Sequence, residues 1–243
     1  MQRAMESSGD AGAAAPVCYR KAVRGEPMKT EKSNDGAGPR CEAVSWIRFH
    51  RLARDLAFRI RDSGFRPDLI LAISRGGYPP ARIISDYLDI FDLVGIKVEH
   101  YHGTRKERLV RIPYPLTIPI DGRRLLLVDD VSDSGDTFEA VMHHLASQGT
   151  PAVIRSATLH HKSSSRFTPD YYAEKVSDWH WIVYPWAMVE DLTSLLRRME
   201  PRPETVEQFA AALLRRHDLR LPRQALADVL DLERERAATR TPP

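Results

Sequence analysis

The chain has 243 residues, 42% of them apolar and 28% charged, with a formal net charge of +3. That length holds one large domain or one domain with appendages, and so small a charge excess does not by itself mark a nucleic-acid or membrane-surface binder. No apolar run approaches the ~20 residues that a membrane-spanning helix needs, and the opening MQRAMESSGDAGAAAP lacks the continuous apolar core of a secretory signal.

Residues 1–42 are rich in Ala, Gly, Ser, Pro and charge without helical or strand period, and read as a disordered leader. Both cysteines, Cys18 and Cys41, fall there. Neither a disulfide scaffold nor a cysteine metal site is expected, and a reducing cytoplasm fits. From Ser45 the pattern changes. Phe49, Leu52, Ala53, Leu56, Ala57 and Ile60 recur at three- and four-residue spacing, which predicts an amphipathic helix with Ser45 as N-cap and Gly64 just past its end. DLILAIS (68–74) predicts a buried strand, then RGGYPP and a helix through Leu88. VGIKVEHY (94–101) alternates as a half-exposed strand, and RLLLV (124–128) is a buried one. Phe138, Val141, Met142 and Leu145 mark a helix that Gly149 ends, and AVIRSATL (152–159) is the next strand. Strand and helix in alternation imply an α/β fold with a mainly parallel sheet flanked by helices. Beyond Trp186 the strand signal stops, and 191–199, 203–217 and 223–234 predict a helical C-terminal appendage with a loose end, RAATRTPP.

The strand at 124–128 runs straight into DDVSDSGDT, which places four carboxylates within eight positions. In parallel sheets ligands collect at the carboxyl ends of strands. Asp129 and Asp130 stand at such an end. Ser132 to Thr137 then form a Gly-containing turn opening a helix, whose free N–H groups, with the Ser134 and Thr137 hydroxyls, make a phosphate seat. The arrangement suits a ligand with a phosphate, vicinal hydroxyls for Asp129 and Asp130, and a divalent cation, for which magnesium has the right oxygen preference. Asp133 and Asp136 would repel that phosphate unless they point elsewhere, and Asp136 is expected to face solvent. An isolated Asp-Asp pair is more often a pair of exposed loop charges; the whole string is not.

LLLVDDVSDSGDT resembles the phosphoribosyl-pyrophosphate (PRPP) signature of the type I phosphoribosyltransferases. The resemblance implies that fold, with a small hood, over residues 43–192 (hood elements about 160–190), leaving 193–243 as the helical extension. It implies that Asp129 and Asp130 bind the ribose hydroxyls and Mg²⁺, and that Asp133, Ser134, Gly135, Asp136 and Thr137 wrap the 5′-phosphate. An aspartate at the place of Asp133 is typical of enzymes acting on 6-oxopurines, in which it serves as acid/base near N7. A carboxylate there is chemically sensible, because forming the glycosidic bond releases a proton. Small or basic residues are commoner at the place of Asp136.

Three further segments fit the same family. Gly76 and Gly77 let backbone N–H groups approach an anion closely, and SRGG before a Pro-containing helix start is similar to the xanthine-guanine and archaeal purine enzymes. By that likeness Ser74, Arg75, Gly76 and Gly77 bind pyrophosphate, with a strained or cis peptide in the loop. EHYHGTRKERLVRIPYPL (99–116) reads alone as a solvated hairpin or loop; in the family it is the mobile loop that closes over PRPP, with Tyr101, Lys106 and Arg108 as candidates to touch substrate. His160 and His161 are adjacent on a strand, point to opposite faces and do not suit one metal ion. By resemblance Lys162 donates to the purine O6, Trp181 stacks on the base and Ile182 lines the pocket, although three tryptophans in WHWIVYPW also suit a hydrophobic plug. The implied activity is Mg²⁺-dependent conversion of hypoxanthine, guanine or xanthine plus PRPP to a nucleoside 5′-monophosphate and pyrophosphate in purine salvage. Its partners would be PRPP and a purine base or nucleotide, not nucleic acid or membrane, in a homo-oligomer. The alternative is a non-catalytic PRPP- or nucleotide-binding regulator of the same fold.

Overall fold

A computed structural model of the chain describes residues 17–19, 38–102 and 108–240. Its elements in chain order are β1 (Val17–Tyr19), β2 (Cys41–Ala43), α1 (Trp46–Asp62), β3 (Leu69–Ser74), α2 (Tyr78–Leu88), β4 (Leu93–His102), β5 (Arg108–Tyr114), β6 (Arg124–Ser132), α3 (Asp136–Gln148), β7 (Val153–Lys162), β8 (Tyr171–Val176), β9 (Trp181–Val183), α4 (Met188–Arg197), α5 (Val206–His217) and α6 (Arg223–Arg240).

The described strands form a seven-stranded sheet in the order β1-β5-β4-β3-β6-β7-β8 and a two-stranded sheet of β2 with β9. Pairing is parallel from β4 through β3, β6 and β7 to β8, and antiparallel where β5 meets β4 and β1. The buried strands show why a parallel sheet needs helices on both faces. On β3 and β6, Ile70, Ala72, Leu126 and Val128 pack toward the α1–α2 side, whereas Leu69, Leu71, Ile73, Leu125 and Leu127 pack with Phe138, Val141 and Leu145 of α3. Successive side chains leave a strand on opposite faces, so one apolar run supplies both cores.

Helix α1 follows its expected pattern. The Ser45 hydroxyl accepts from the Arg48 N–H at 3.2 Å, and the six residues of the predicted stripe are all buried. Two elements depart from expectation at the N-terminal side. β1 and the start of β2 lie within the stretch read as a loose leader, because three-residue strands carry no period and exist only through distant partners, β5 and β9. The segment expected as a solvated hairpin or loop at 99–116 is in large part the antiparallel β4–β5 hairpin.

The three C-terminal helices form where expected, except that α6 continues to Arg240 through residues expected to be loose. Leu192, Leu195, Leu196, Phe209, Leu213, Leu226, Val229 and Leu230 share a core with Cys41 and Val183 of the small sheet. The three helices are thereby packed onto the small two-stranded sheet. Glu233, buried on α6, accepts from Arg197 at 2.7 and 2.9 Å, from Arg202 at 3.0 Å and from Arg236 at 2.9 Å. These bonds hold its carboxyl down at about 2. Glu233→Ala should therefore lower the stability of the extension by about 2 kcal/mol, read as a lower Tm and faster proteolysis of α6.

Candidate active site

The site gathers at the carboxyl ends of β3, β6 and β7, where an open α/β sheet binds its ligands. β6 runs four residues past its apolar stretch, because Asp129, Val131 and Ser132 stay in register with Thr158, His160 and His161 of β7. Asp129 is buried, and its Oδ1 accepts from the Asp130 N–H at 2.9 Å. Burial, and then the charge of Asp130, pushes the Asp129 carboxyl well up, and burial pushes Asp130 up to about 6. Two such acids side by side are short of positive charge. Magnesium takes one or two protein carboxylates and completes its shell with water and substrate phosphate, and this pair suits that role. No group of three or more His, Cys, Asp or Glu able to hold an ion occurs among the described residues.

Facing the pair is the turn after β3. The Ser74–Arg75 peptide is cis, as the resemblance implied. A Cβ on Gly76 would lie 2.3 Å from Asp130 Oδ2, and one on Gly77 would lie 2.3 Å from the Val128 carbonyl oxygen and 2.6 Å from that of Ile73. Both glycines are thus required by close approach, and the loop touches the acid pair directly. Arg75 is turned outward, its guanidinium paired with Glu190 of α4.

Ser132 to Gly135 lead from β6 into α3, with Gly135 at φ +90° and no room for a Cβ against Phe167, 2.7 Å away. Ser134 Oγ accepts from the Asp136 N–H at 3.3 Å and donates to Asp136 Oδ2 at 3.0 Å. Thr137 lies in the first turn of α3. The expectation that Asp136 faces solvent is overturned. Its side chain is only 9% exposed and is paired with Arg166 from the turn after β7. The cation that makes an acid tolerable here comes from 30 residues downstream.

Asp133 is bound on both oxygens. Lys162 Nζ donates to Oδ2 at 3.0 Å and Trp179 Nε1 donates to Oδ1 at 3.0 Å. Lys162 is the last residue of β7, three beyond the predicted strand end, and is 3% exposed. Its ammonium sits 4.5 Å from the centre of the Trp179 ring and 6.0 Å from that of Trp181, a cation between aromatic faces. Trp181 is 41% exposed and donates to Asp191 Oδ1 at 3.1 Å, whereas burial lifts the Asp191 carboxyl to about 7. Ile182 is buried in the core on the α1 side. Trp179 and Arg166 went unassigned in the sequence; the aromatic cluster signalled a pocket, but the turn before β9 decides which indole reaches Asp133.

The remaining expectations separate. His160 Nδ1 lies 2.8 Å from Tyr184 Oη, and burial holds that imidazole down at about 4; the His161 ring instead packs on Tyr172 with centroids 5.2 Å apart. The adjacent histidines do face apart. Tyr101 and Arg108 fall on the backbones of β4 and β5, and Lys106 lies outside the described residues. The turn of Arg75 follows β3 and Lys162 ends β7, the two strands that flank β6 and its acid pair.

These features agree with comparisons to known proteins. A model of the phosphoribosyl transferase domain matches residues 45–191. A xanthine-guanine phosphoribosyltransferase of Cereibacter sphaeroides is 34% identical over 152 residues, covering 60% of this chain and 86% of that protein. One from Desulfotalea psychrophila is 32% identical, covering 71% and 92%. The crystal structure of a purine phosphoribosyltransferase from Pyrococcus horikoshii superimposes with a TM-score of 0.53 at 35% identity, covering 60% of this chain and 93% of that one. With the family model spanning more than half of its length, the chain belongs to the phosphoribosyl transferase domain family.

Proposed function

We propose that this protein transfers the phosphoribosyl group of PRPP to a 6-oxopurine, yielding a nucleoside 5′-monophosphate and pyrophosphate. The observation that carries the reading is the Lys162–Asp133 pair, a buried ammonium and a carboxylate 3.0 Å apart beside the Trp179 and Trp181 rings. A 6-oxopurine presents an acceptor at O6 and an N–H at N7 side by side, which matches a donor next to an acceptor. An aminopurine would set a donor against the ammonium, and a site built for such hydrogen bonds discriminates strongly. Relatives named for xanthine and guanine support the same base class.

In this reading Asp129 and Asp130 accept from the ribose hydroxyls, the Ser132–Thr137 turn holds the 5′-phosphate, and the Ser74–Gly77 turn holds the pyrophosphate. The base N9 bonds to C1′ as the bond from C1′ to the pyrophosphate oxygen breaks; the electron pair leaves with pyrophosphate, and the N7 proton passes to Asp133. Trp181 stacks on the base. The carboxylates of Asp129 and Asp130 favour the positive charge that develops on the ribose. Magnesium, held by that pair, would neutralise pyrophosphate. The transferase unit is taken as 43–192 with the helices of 193–243 as an extension, in a cytoplasmic setting; no described helix is long and apolar enough to cross a membrane.

A regulator of the same fold has no use for an acceptor at N7 beside a donor at O6. The test is pyrophosphate release from PRPP and Mg²⁺ with hypoxanthine, guanine, xanthine, adenine and orotate offered separately. Turnover confined to the 6-oxopurines is the expected result. Binding of PRPP without turnover on any base would replace the transferase with the regulator.

A further inference from the structure

The transferase reading leaves Asp136 unexplained. Its carboxylate is buried at the first turn of α3, where a phosphate would be drawn by the free N–H groups, and a buried like charge beside a phosphate is costly. We infer that Arg166 is the counter-cation of the 5′-phosphate subsite, cancelling Asp136 so that the turn can accept a dianion; the inference rests on the PRPP-binding reading above.

Arg166 is delivered to this place by a built contact. Its N–H donates to the Ser134 carbonyl at 3.1 Å. Next to it, Ser132 Oγ lies 2.8 Å from Ser165 Oγ and donates to the Phe167 carbonyl at 3.0 Å. Phe167 stacks on Phe138 of α3 with centroids 4.8 Å apart and planes within 1°. The turn after β7 is thus fastened onto the phosphate turn at three points and onto α3 at a fourth, with Gly135 leaving space for Phe167. The guanidinium meets Asp136 while half of the Arg166 side chain stays exposed, and a five-donor fork that gives one edge to a carboxylate keeps donors for a second anion. Because the same turn begins beside Lys162, the strand end that reads the base also sets the charge of the phosphate seat.

The electrostatic account makes affinity follow the net charge of the pair. Titration calorimetry with ribose 5-phosphate, and separately with pyrophosphate, would compare the unmodified protein with R166Q, D136N and D136N/R166Q. Ribose 5-phosphate should bind R166Q at least about 10-fold more weakly than the unmodified protein. D136N/R166Q should return to near the unmodified affinity, D136N should bind more tightly, and pyrophosphate affinity should stay unchanged in all. R166Q binding like the unmodified protein, or D136N/R166Q as weak as R166Q, would overturn the inference. Should R166Q fail to fold, D136N and D136N/R166Q still differ in charge by one, and equal affinities would refute it. An unmodified protein that binds neither ligand removes the PRPP reading itself, and this inference with it.

Discussion

Asp133→Asn should lower kcat on the preferred 6-oxopurine by about 10²- to 10⁴-fold, the range of a general acid or base, with little change in PRPP binding. The amide keeps the size of the side chain but cannot take the N7 proton. It also disturbs the ground state, since Lys162 and Trp179 both donate to this carboxylate. An asparagine has one acceptor oxygen, so one of the two donors loses its bond, and the buried ammonium loses its counter-charge. The measurement is steady-state kinetics together with PRPP affinity. A kcat within a few-fold of the unmodified enzyme would remove Asp133 from proton transfer.

The second large effect lies in the acid pair. Without metal or substrate, the acid pair should contribute a loss of stability as pH rises from about 4 to about 6, opposed over the same window by His160, whose imidazole burial holds down at about 4. Burial raises the Asp130 carboxyl from its ordinary 3.8 to about 6, and Asp129 shifts the same way. Between those values the folded protein keeps a proton that the unfolded chain has already released, so raising the pH favours unfolding. Asp130→Asn should remove its share of that loss, visible as the difference between the two stability–pH curves, and stabilise the protein at neutral pH by on the order of 2 kcal/mol. The same variant should lose Mg²⁺-dependent PRPP binding. Thermal melts across pH for both proteins, with and without Mg²⁺, read both halves. A Tm of the variant at neutral pH no higher than that of the unmodified protein would show that burying the Asp130 charge costs no stability.

Much of the site was legible because its parts are contiguous. The string from Leu125 to Thr137 is strand, acid pair, turn and helix start in one stretch, in the order local pattern gives, with the strand running on to Ser132. The same holds for the stripe of α1, whereas the glycines of the turn after β3, read as admitting an anion, are crowded by the protein's own Asp130 and Val128 carbonyl. What could not be read were partners distant in the chain. Asp136 was expected in solvent because no neighbour in sequence could neutralise it, and Arg166 reaches it only when the turn after β7 folds over α3. Arg75, assigned with its turn to pyrophosphate, pairs with Glu190, a contact that depends on where α4 lands.

Strand ends were under-read for a related reason. Asp129–Ser132 and His160–Lys162 lack the apolar signature of a strand, yet each holds the other extended through the parallel ladder. Hydrophobic period reports burial, not pairing, so polar residues at the mouth of a sheet are invisible to it. The sequence by itself determined the α/β class, the buried strands β3 and β6 and the order of strand, acid pair, turn and helix start, since these depend on periodicity and on residues within a few positions of one another. The tertiary structure alone decided which groups bind the Asp133 carboxylate, what balances Asp136 and how the C-terminal helices join the small sheet. Those outcomes rest on contacts between segments tens of residues apart, and only a folded chain sets such distances.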